Sequence, residues 1–352
     1  VRYSRGVADA TPRDIFRLSD LFPVSFIRPY RKVAMGSDSA ATALSASVVI
    51  MTNEREDDLK RSVTALLAQA DPSWELIVVD DTPVLSPAME AFLAENSTRF
   101  RYVRLTTKNL PRAGNVGITL ARGRIVIFVD DDVIPCEGFV ARHVAAYTDP
   151  SIGGVMGRIR QHNFPEWEPD PSPRDMGFNA FWHKHFNWKT RQPIAMTRGC
   201  NMSFRRDVLF EVGGCDEQFV AEGMRWDTDL GYCVRQAGYT IMYEPDAWLE
   251  HLYVPRGGAR TRGLDLKRTE KYYQNNFYFL YKHRPPLWSA AYYTLAVFLA
   301  GYVRKEVIRQ PALLWQIPRM MCRGMRSARR LARDIPATFL PAPVPDAIPV
   351  TP

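Results

Sequence analysis

The chain has 352 residues, 46% of them hydrophobic and 24% charged, a composition that excludes a disordered polymer and suffices for one or two buried cores. A formal net charge of +8 suits anionic partners, namely nucleotides, sugar phosphates, acidic lipids or nucleic acid, without choosing among them. Five cysteines, an odd number with no CxxC pair, speak against a disulfide framework or a zinc site and predict a reducing, cytoplasmic setting.

In chain order, no basic stretch followed by an apolar run opens the sequence, so no signal peptide is expected. Residues 1–44 read as an irregular leader, interrupted by Pro12, Pro23 and Pro29 and closed by Ala/Ser-rich residues. An alternation then begins. Ser47–Met51 reads as a buried strand, and Leu59, Val63, Leu66 and Leu67 follow at helical spacing, with Asp71-Pro72 as the stop. Leu76–Val79 is the second strand and Phe100–Leu105 the third. Ala113, Val116, Gly117 and Leu120 mark a helix, and Ile125–Val129 is the fourth strand. This pattern predicts an α/β fold with a mostly parallel sheet flanked by helices, its ligand beyond the carboxyl ends of the strands.

The second half is less regular. Residues 161–197 carry five prolines, three tryptophans and three histidines, a loop composition suited either to function or to packing. Leu230, Cys233, Val234 and Ala237 mark a helix closed by Gly238. Leu287–Val303 is uncharged and precedes a basic, Met-rich stretch from Arg319 to Arg333. That combination predicts a buried helix, an interfacial one on an anionic membrane, or a short spanning one.

The chemistry concentrates at two strand ends. Leu76–Val79 runs into Asp80-Asp81, and Ile125–Val129 into Asp130-Asp131-Asp132. Adjacent carboxylates at a buried strand tip repel one another unless a cation neutralises them. In an extended chain Asp130 and Asp132 share a face and Asp131 points away. Mg²⁺ or Mn²⁺, which take oxygen ligands and bridge carboxylates to phosphates, is the expected cofactor.

These segments, in order and spacing from about residue 47 to 283, resemble family 2 of the inverting glycosyltransferases, which have a GT-A fold. The resemblance is carried by Ser47–Glu54, Leu76–Asp81, Pro111–Ile118, Ile127–Asp132, Arg198–Arg206, Glu211–Glu217 and Trp226–Leu230. It implies transfer of a sugar from a UDP-, GDP- or dTDP-linked donor to a sugar or lipid-linked acceptor, in polysaccharide, glycolipid or glycoconjugate synthesis. Residues 45–283 would form the GT-A domain, divided into a nucleotide half (45–135) and an acceptor half (136–283), with 284–352 as a helical basic extension. The implied place is the cytoplasm, at the inner face of the cell membrane.

The resemblance also implies roles. Thr52, Asn53 and Glu54 would contact base and ribose, Asp80 the base imide and Arg112 the nucleotide, with Asp81, Asn115, Asp130 and Asp131 on the same donor side. Asp130, Asp132 and His251 would hold the metal, although a His after an apolar strand is also a common structural residue. Asp227 is the implied catalytic base, with the helix N-cap as its alternative role and Asp229 as its rival. Asn201, Trp226 and Asp229 fall on the acceptor side. The family shows Glu-Asp where this chain has Trp226-Asp227, so Trp226 either stacks on a sugar or packs. A Gly-rich phosphate loop is absent, against a nucleotidyltransferase, and no nucleic-acid-binding module is recognisable.

Overall fold

A computed structural model describes residues 44–70, 73–162, 186–220, 223–254, 266–302, 314–336, 338–340 and 348–349. The first half alternates as its apolar pattern dictates: β1 (Ala46–Thr52), α1 (Glu56–Leu67), β2 (Trp74–Asp80), α2 (Pro87–Glu95), β3 (Arg101–Arg104), α3 (Leu110–Leu120) and β4 (Ile125–Val129). Strands β1 and β4 are buried along their whole length, which is why they read as continuous apolar runs and not as alternations.

Helix α1 buries Leu59, Ser62, Val63 and Leu66 and carries Glu56, Asp57 and Asp58 in its first turn, where the helix dipole favours negative charge. It stops at Leu67, earlier than the sequence suggests; Asp71 and Pro72 lie outside the described residues. Helix α2, which the sequence reading passes over, starts on a Ser86 cap bonded by the Met89 N–H, with Pro87 at its first turn. Asn109 caps α3 by accepting from the Arg112 N–H at 3.0 Å. Gly117 of α3 is dictated by packing, since a Cβ there would meet Val49 Cγ1 at 2.4 Å.

The chain continues through β5 (Val133–Pro135), α4 (Phe139–Ala145), β6 (Ile152–Arg160), β7 (Gln192–Ile194), β8 (Asn201–Arg205), α5 (Arg206–Glu211), α6 (Trp226–Gln236) and β9 (Thr240–His251). Helices α7 (Leu266–His283), α8 (Leu287–Tyr302) and α9 (Gln316–Leu331) follow, then a short β10 (Ile348–Pro349). The sheet runs β10-β3-β2-β1-β4-β8-β6-β9-β5, with β7 beside β9. Its β3-β2-β1-β4 part is parallel, as the alternation requires. Beyond β4 the sheet is mixed: β8 runs antiparallel to both β4 and β6, and β6 parallel to β9.

Helices α7 and α9 pack on each other and α8 touches both. The 16 described residues of α8 span about 24 Å, against a hydrocarbon layer of ~30 Å. Among the described residues no helix is long and apolar enough to cross a membrane. The leader expected over 1–44, and Trp167 and Trp182 of the aromatic loop, fall outside the described residues, apart from Leu44. Trp188 of that loop is buried against Phe186 and Tyr243.

Candidate active site

Parallel pairing brings Thr52 of β1 level with Asp80 of β2, and the carboxyl end of β4 lies beside them. Strand β9 arrives from the far side of the sheet, and its pairing with β5 sets Val133 opposite His251. The chain after β4 is locked there. Leu252 N–H donates to the Asp132 carbonyl at 2.9 Å and Val254 N–H to Asp132 Oδ2 at 3.0 Å.

The three aspartates divide as their alternation predicts. Asp130 and Asp132 turn to His251, whose Nε2 stands 3.6 Å from Asp130 Oδ2 and 3.3 Å from Asp132 Oδ1. Asp131 turns away, accepting from Thr52 Oγ1 at 2.7 Å and from Arg55 Nη1 at 2.8 Å. Burial pushes Asp131 up to about 7 even against the Arg55 guanidinium. His251 is raised to about 9: burial opposes its charge, but the hydrogen bonds and charges of Asp130 and Asp132 outweigh it. Gln161 Oε1 lies 2.8 Å from His251 Nδ1 and fixes the ring.

Ligand atoms of Asp130, Asp132 and His251 lie within 4.8 Å of one another. Asp132 is fully buried and Asp130 is 39% exposed, so the cluster is open on one side. Two carboxylates and one imidazole fit Mn²⁺, and fit Mg²⁺ less well because it prefers oxygen alone.

At the end of β2 the two aspartates, Asp80 and Asp81, separate. Asp80 is fully buried, with Oδ1 taken by the Thr82 N–H and Oδ2 by the Tyr102 hydroxyl. Its expected contact with a base is not what this geometry offers. Asp81 Oδ2 accepts from Asn109 N at 3.1 Å, while its Oδ1 is buried without a donor. Burial raises the Asp81 carboxyl and the Lys108 ammonium opposes that rise. Asn53 donates to the Asp81 carbonyl and accepts from Lys108 Nζ, which ties the β1 and β2 ends together. Glu54 is exposed, and Arg112 sits half-buried in the first turn of α3. An open cleft of about 830 Å³ lies here, lined in part by Glu54, Arg55, Thr82, Pro83 and Val254.

Asn115 is corrected to a structural role. It donates to the carbonyls of Cys215 and Phe339 and to Glu217, and accepts from the Cys215 N–H.

Asp227 lies in the first turn of α6 and is half-buried. Its Oδ2 accepts from the Gly199 N–H at 3.1 Å and its Oδ1 from the Thr228 N–H at 2.7 Å. The Cys200 thiol beside it is pushed well above its ordinary value, by burial first, then by Asp130, with Asp132 and Asp227 adding.

Its neighbours turn inward. Asp229 binds Lys282 Nζ and His283 Nε2, each at 2.7 Å. Burial works to raise its pKa, but the Lys282 ammonium and the His283 hydrogen bond hold it below the ordinary range, so it has neither the access nor the basicity of a rival base. Trp226 is buried, edge-on to Phe128 at 5.9 Å and against Gly199, and so packs instead of stacking on a sugar. Asn201 is fully buried and bonds His143, Arg158 and Ala247, which removes it from the acceptor surface.

Sequence reasoning passed over Arg55, Gln161 and Lys108. Arg55 directly follows the Thr52-Asn53-Glu54 turn and pairs with Asp131 and, at 3.5 Å, with Asp132. That position next to an acidic strand end was a readable signal; Gln161 carried none. Among the described residues four non-glycines have positive φ, and three of them flank this region: Glu54 (56°), Tyr253 (55°) and Arg225 (85°). Such backbone persists where surrounding contacts over-determine it, and it clusters at functional sites.

A parallel β3-β2-β1-β4 half joined through β8 to a mixed half, with acidic residues at the end of β4, makes a GT-A-like α/β fold. Residues 47–213 match the profile described as Glycosyl transferase family 2. The chain is 24% identical over 220 residues to the glucosyl-dolichyl phosphate glucuronosyltransferase of Haloferax volcanii, covering 59% of this chain and 69% of that protein. It is 25% identical over 210 residues to the succinoglycan biosynthesis protein ExoM of Rhizobium meliloti, covering 59% of this chain and 66% of that protein. Among solved structures, GalNAc-T7 with UDP, GalNAc and Mn²⁺ shares the fold at a TM-score of 0.52 and 17% identity, over 69% of this chain and 51% of that one.

Proposed function

We propose that this glycosyltransferase moves a sugar from a UDP-, GDP- or dTDP-linked donor to an acceptor hydroxyl with inversion, using a divalent metal held by Asp130, Asp132 and His251. The observation that carries the reading is the cluster itself, in which ligand atoms of Asp130, Asp132 and His251 lie within 4.8 Å of one another at an acidic strand end. A charge site for the departing diphosphate and a half-buried carboxylate, Asp227, to take the acceptor proton are the two parts a single displacement requires.

The bound metal supplies positive charge where the departing diphosphate gains negative charge. Gln161 holds the His251 ring and the Leu252 and Val254 N–H groups hold Asp132, so the donor set is arranged in advance. The nucleotide lies along the ends of β1 and β2, between Thr52–Glu54 and Asp81, with Arg112 at the start of α3. Asp81 takes the base-facing role in preference to Asp80, because its Oδ1 has no donor of its own.

Asp227 accepts the proton of the acceptor hydroxyl as that oxygen bonds to the anomeric carbon. The bond from that carbon to the diphosphate oxygen breaks with its electron pair leaving on the diphosphate. One displacement from the opposite face inverts the centre, by the same logic as inverting glycosidases. The Gly199 N–H aims the base through Oδ2.

The names of the Haloferax and Rhizobium relatives support an acceptor in lipid-linked or polysaccharide synthesis. The test is nucleotide release from UDP-, GDP- and dTDP-sugars with Mn²⁺, Mg²⁺ or chelator, followed by NMR of the product anomer. Metal-independent release, or a retained anomer, overturns the reading.

A further inference from the structure

Helix α8 has two opposite faces. Ala290, Tyr293 and Val297 are buried, with the Tyr293 ring 6.3 Å from Phe279 of α7 and its hydroxyl bonded to Asn276. Trp288, Tyr292, Leu295 and Leu299, at i, i+4, i+7 and i+11, stand exposed on the other side. Trp288 is 73% exposed and Leu295 55%, and no charged residue occurs between 287 and 302. A continuous exposed apolar strip of this kind marks an interaction surface, unlike scattered single hydrophobics.

Helix α9 carries the complementary pattern. Ile317, Met320, Gly324, Met325 and Ala328 are buried, and Gly324 lets the helix approach Tyr273 and Gln274 of α7 closely. The opposite face exposes Arg319, Arg323, Arg326 and Arg330, and Arg333 continues the line just past the helix. Their spacing of i, i+4, i+7, i+11 and i+14 puts all five on one stripe. Between 314 and 336 six arginines face a single acidic residue, Asp334. Trp315, at the start of α9, is 81% exposed.

An uncharged aromatic and aliphatic stripe therefore lies on one helix, and an arginine stripe on a helix that touches it. Tryptophan and tyrosine favour the boundary between water and hydrocarbon, where an apolar ring and a polar tip are both served. Arginine favours phosphate, which it meets through paired N–H donors. An anionic phospholipid surface offers both layers at once.

We propose that α8 and α9 together dock this protein on an anionic phospholipid bilayer, with the Trp288–Leu299 stripe below the headgroups and the α9 arginines on headgroup phosphates. The proposal rests on the C-terminal helices alone and is independent of the donor and of Asp227.

The test is sedimentation of the full chain with sucrose-loaded vesicles of phosphatidylcholine, alone or mixed with phosphatidylglycerol. The protein pellets with the mixed vesicles at low salt and much less at high salt, because exposed charges are screened within a Debye length. The double variant Arg319→Gln/Arg326→Gln lowers the partition coefficient roughly thirtyfold, at about fivefold per arginine. Trp288→Ser/Leu295→Ser also lowers pelleting with the mixed vesicles. All four side chains are exposed, so melting temperature and nucleotide release stay at wild-type values in both variants. The proposal fails if wild type remains in the supernatant with mixed vesicles, or if both variants pellet like wild type. It also fails if light scattering finds a dimer that Trp288→Ser/Leu295→Ser dissolves while vesicle binding is unchanged; a second copy of the chain would then cover the stripe.

Discussion

Asp229 Oδ2 accepts from Lys282 Nζ at 2.7 Å, and this contact joins the helix that carries Asp227 to the last turn of α7. The same ammonium donates to Asp216 Oδ2, which also accepts from the Tyr278 hydroxyl. Lys282→Met leaves two buried carboxylates short of a partner, and breaking a buried pair in this way costs about 3–5 kcal/mol. We expect a large drop in the urea midpoint of unfolding. Asp229→Asn should likewise lose stability, while the protein that remains folded keeps its pH–rate profile, as expected with Asp227 as the proposed base.

Asp227 is the half-buried carboxylate of that helix's first turn. Asp227→Asn keeps the shape and removes the proton acceptor. Turnover should fall by about 10²- to 10⁴-fold, the usual worth of a general base. Nucleotide affinity, measured by calorimetry, should change little. Near-normal turnover in this variant would remove Asp227 from the chemistry.

Gln161 touches the proposed metal set through His251 Nδ1. Groups that orient a ligand in this way are worth about 10- to 100-fold in metal affinity. Gln161→Ala should weaken Mn²⁺ binding to that degree, measured by titration followed by EPR, and Asp132→Asn should weaken it further. If Gln161→Ala binds Mn²⁺ as tightly as wild type, His251 is not a ligand.

His143 is fully buried between Ser203 and Asn201, and burial depresses its pKa to about 4 despite the Asn201 hydrogen bond. In the unfolded chain it titrates near its ordinary value of 6.5. The unfolded state therefore binds the extra proton between these values. Stability from the neutral ring is present above about pH 6.5 and is lost as pH falls toward 4, by about 3 kcal/mol in all. His143→Gln should lower the melting temperature at pH 7 and flatten its fall between pH 6.5 and 4. An unchanged slope would mean that the ring is not held neutral.

The parallel half of the sheet was legible because β1, β2 and β4 are buried on both faces, so apolar runs mark them without ambiguity. The split of Asp130 and Asp132 from Asp131 was legible too, since it follows from strand periodicity alone. Asp80, Asn115, Asn201 and Asp229 were not separable from their motif neighbours. Their partners come from distant segments: Tyr102, Phe339, His143 and Lys282 respectively. Spacing along the chain does not record which polar groups such segments consume. Trp226 is the same case, because its burial depends on Phe128.

The C-terminal segment returns to the front of the molecule. Phe339 N–H donates to the Gly213 carbonyl, Asn115 donates to the Phe339 carbonyl across 224 residues, and β10 pairs antiparallel with β3 at the sheet edge. During synthesis β3 is made long before β10 and waits with one row of backbone groups bare. An open strand edge is a template for pairing with other chains. The parallel half of the sheet is therefore finished last, although it is translated first, and its closure must await pairings of very long sequence separation, which form slowly. A nascent chain arrested before Phe339 would carry a complete set of carboxylates on a sheet that is still adhesive.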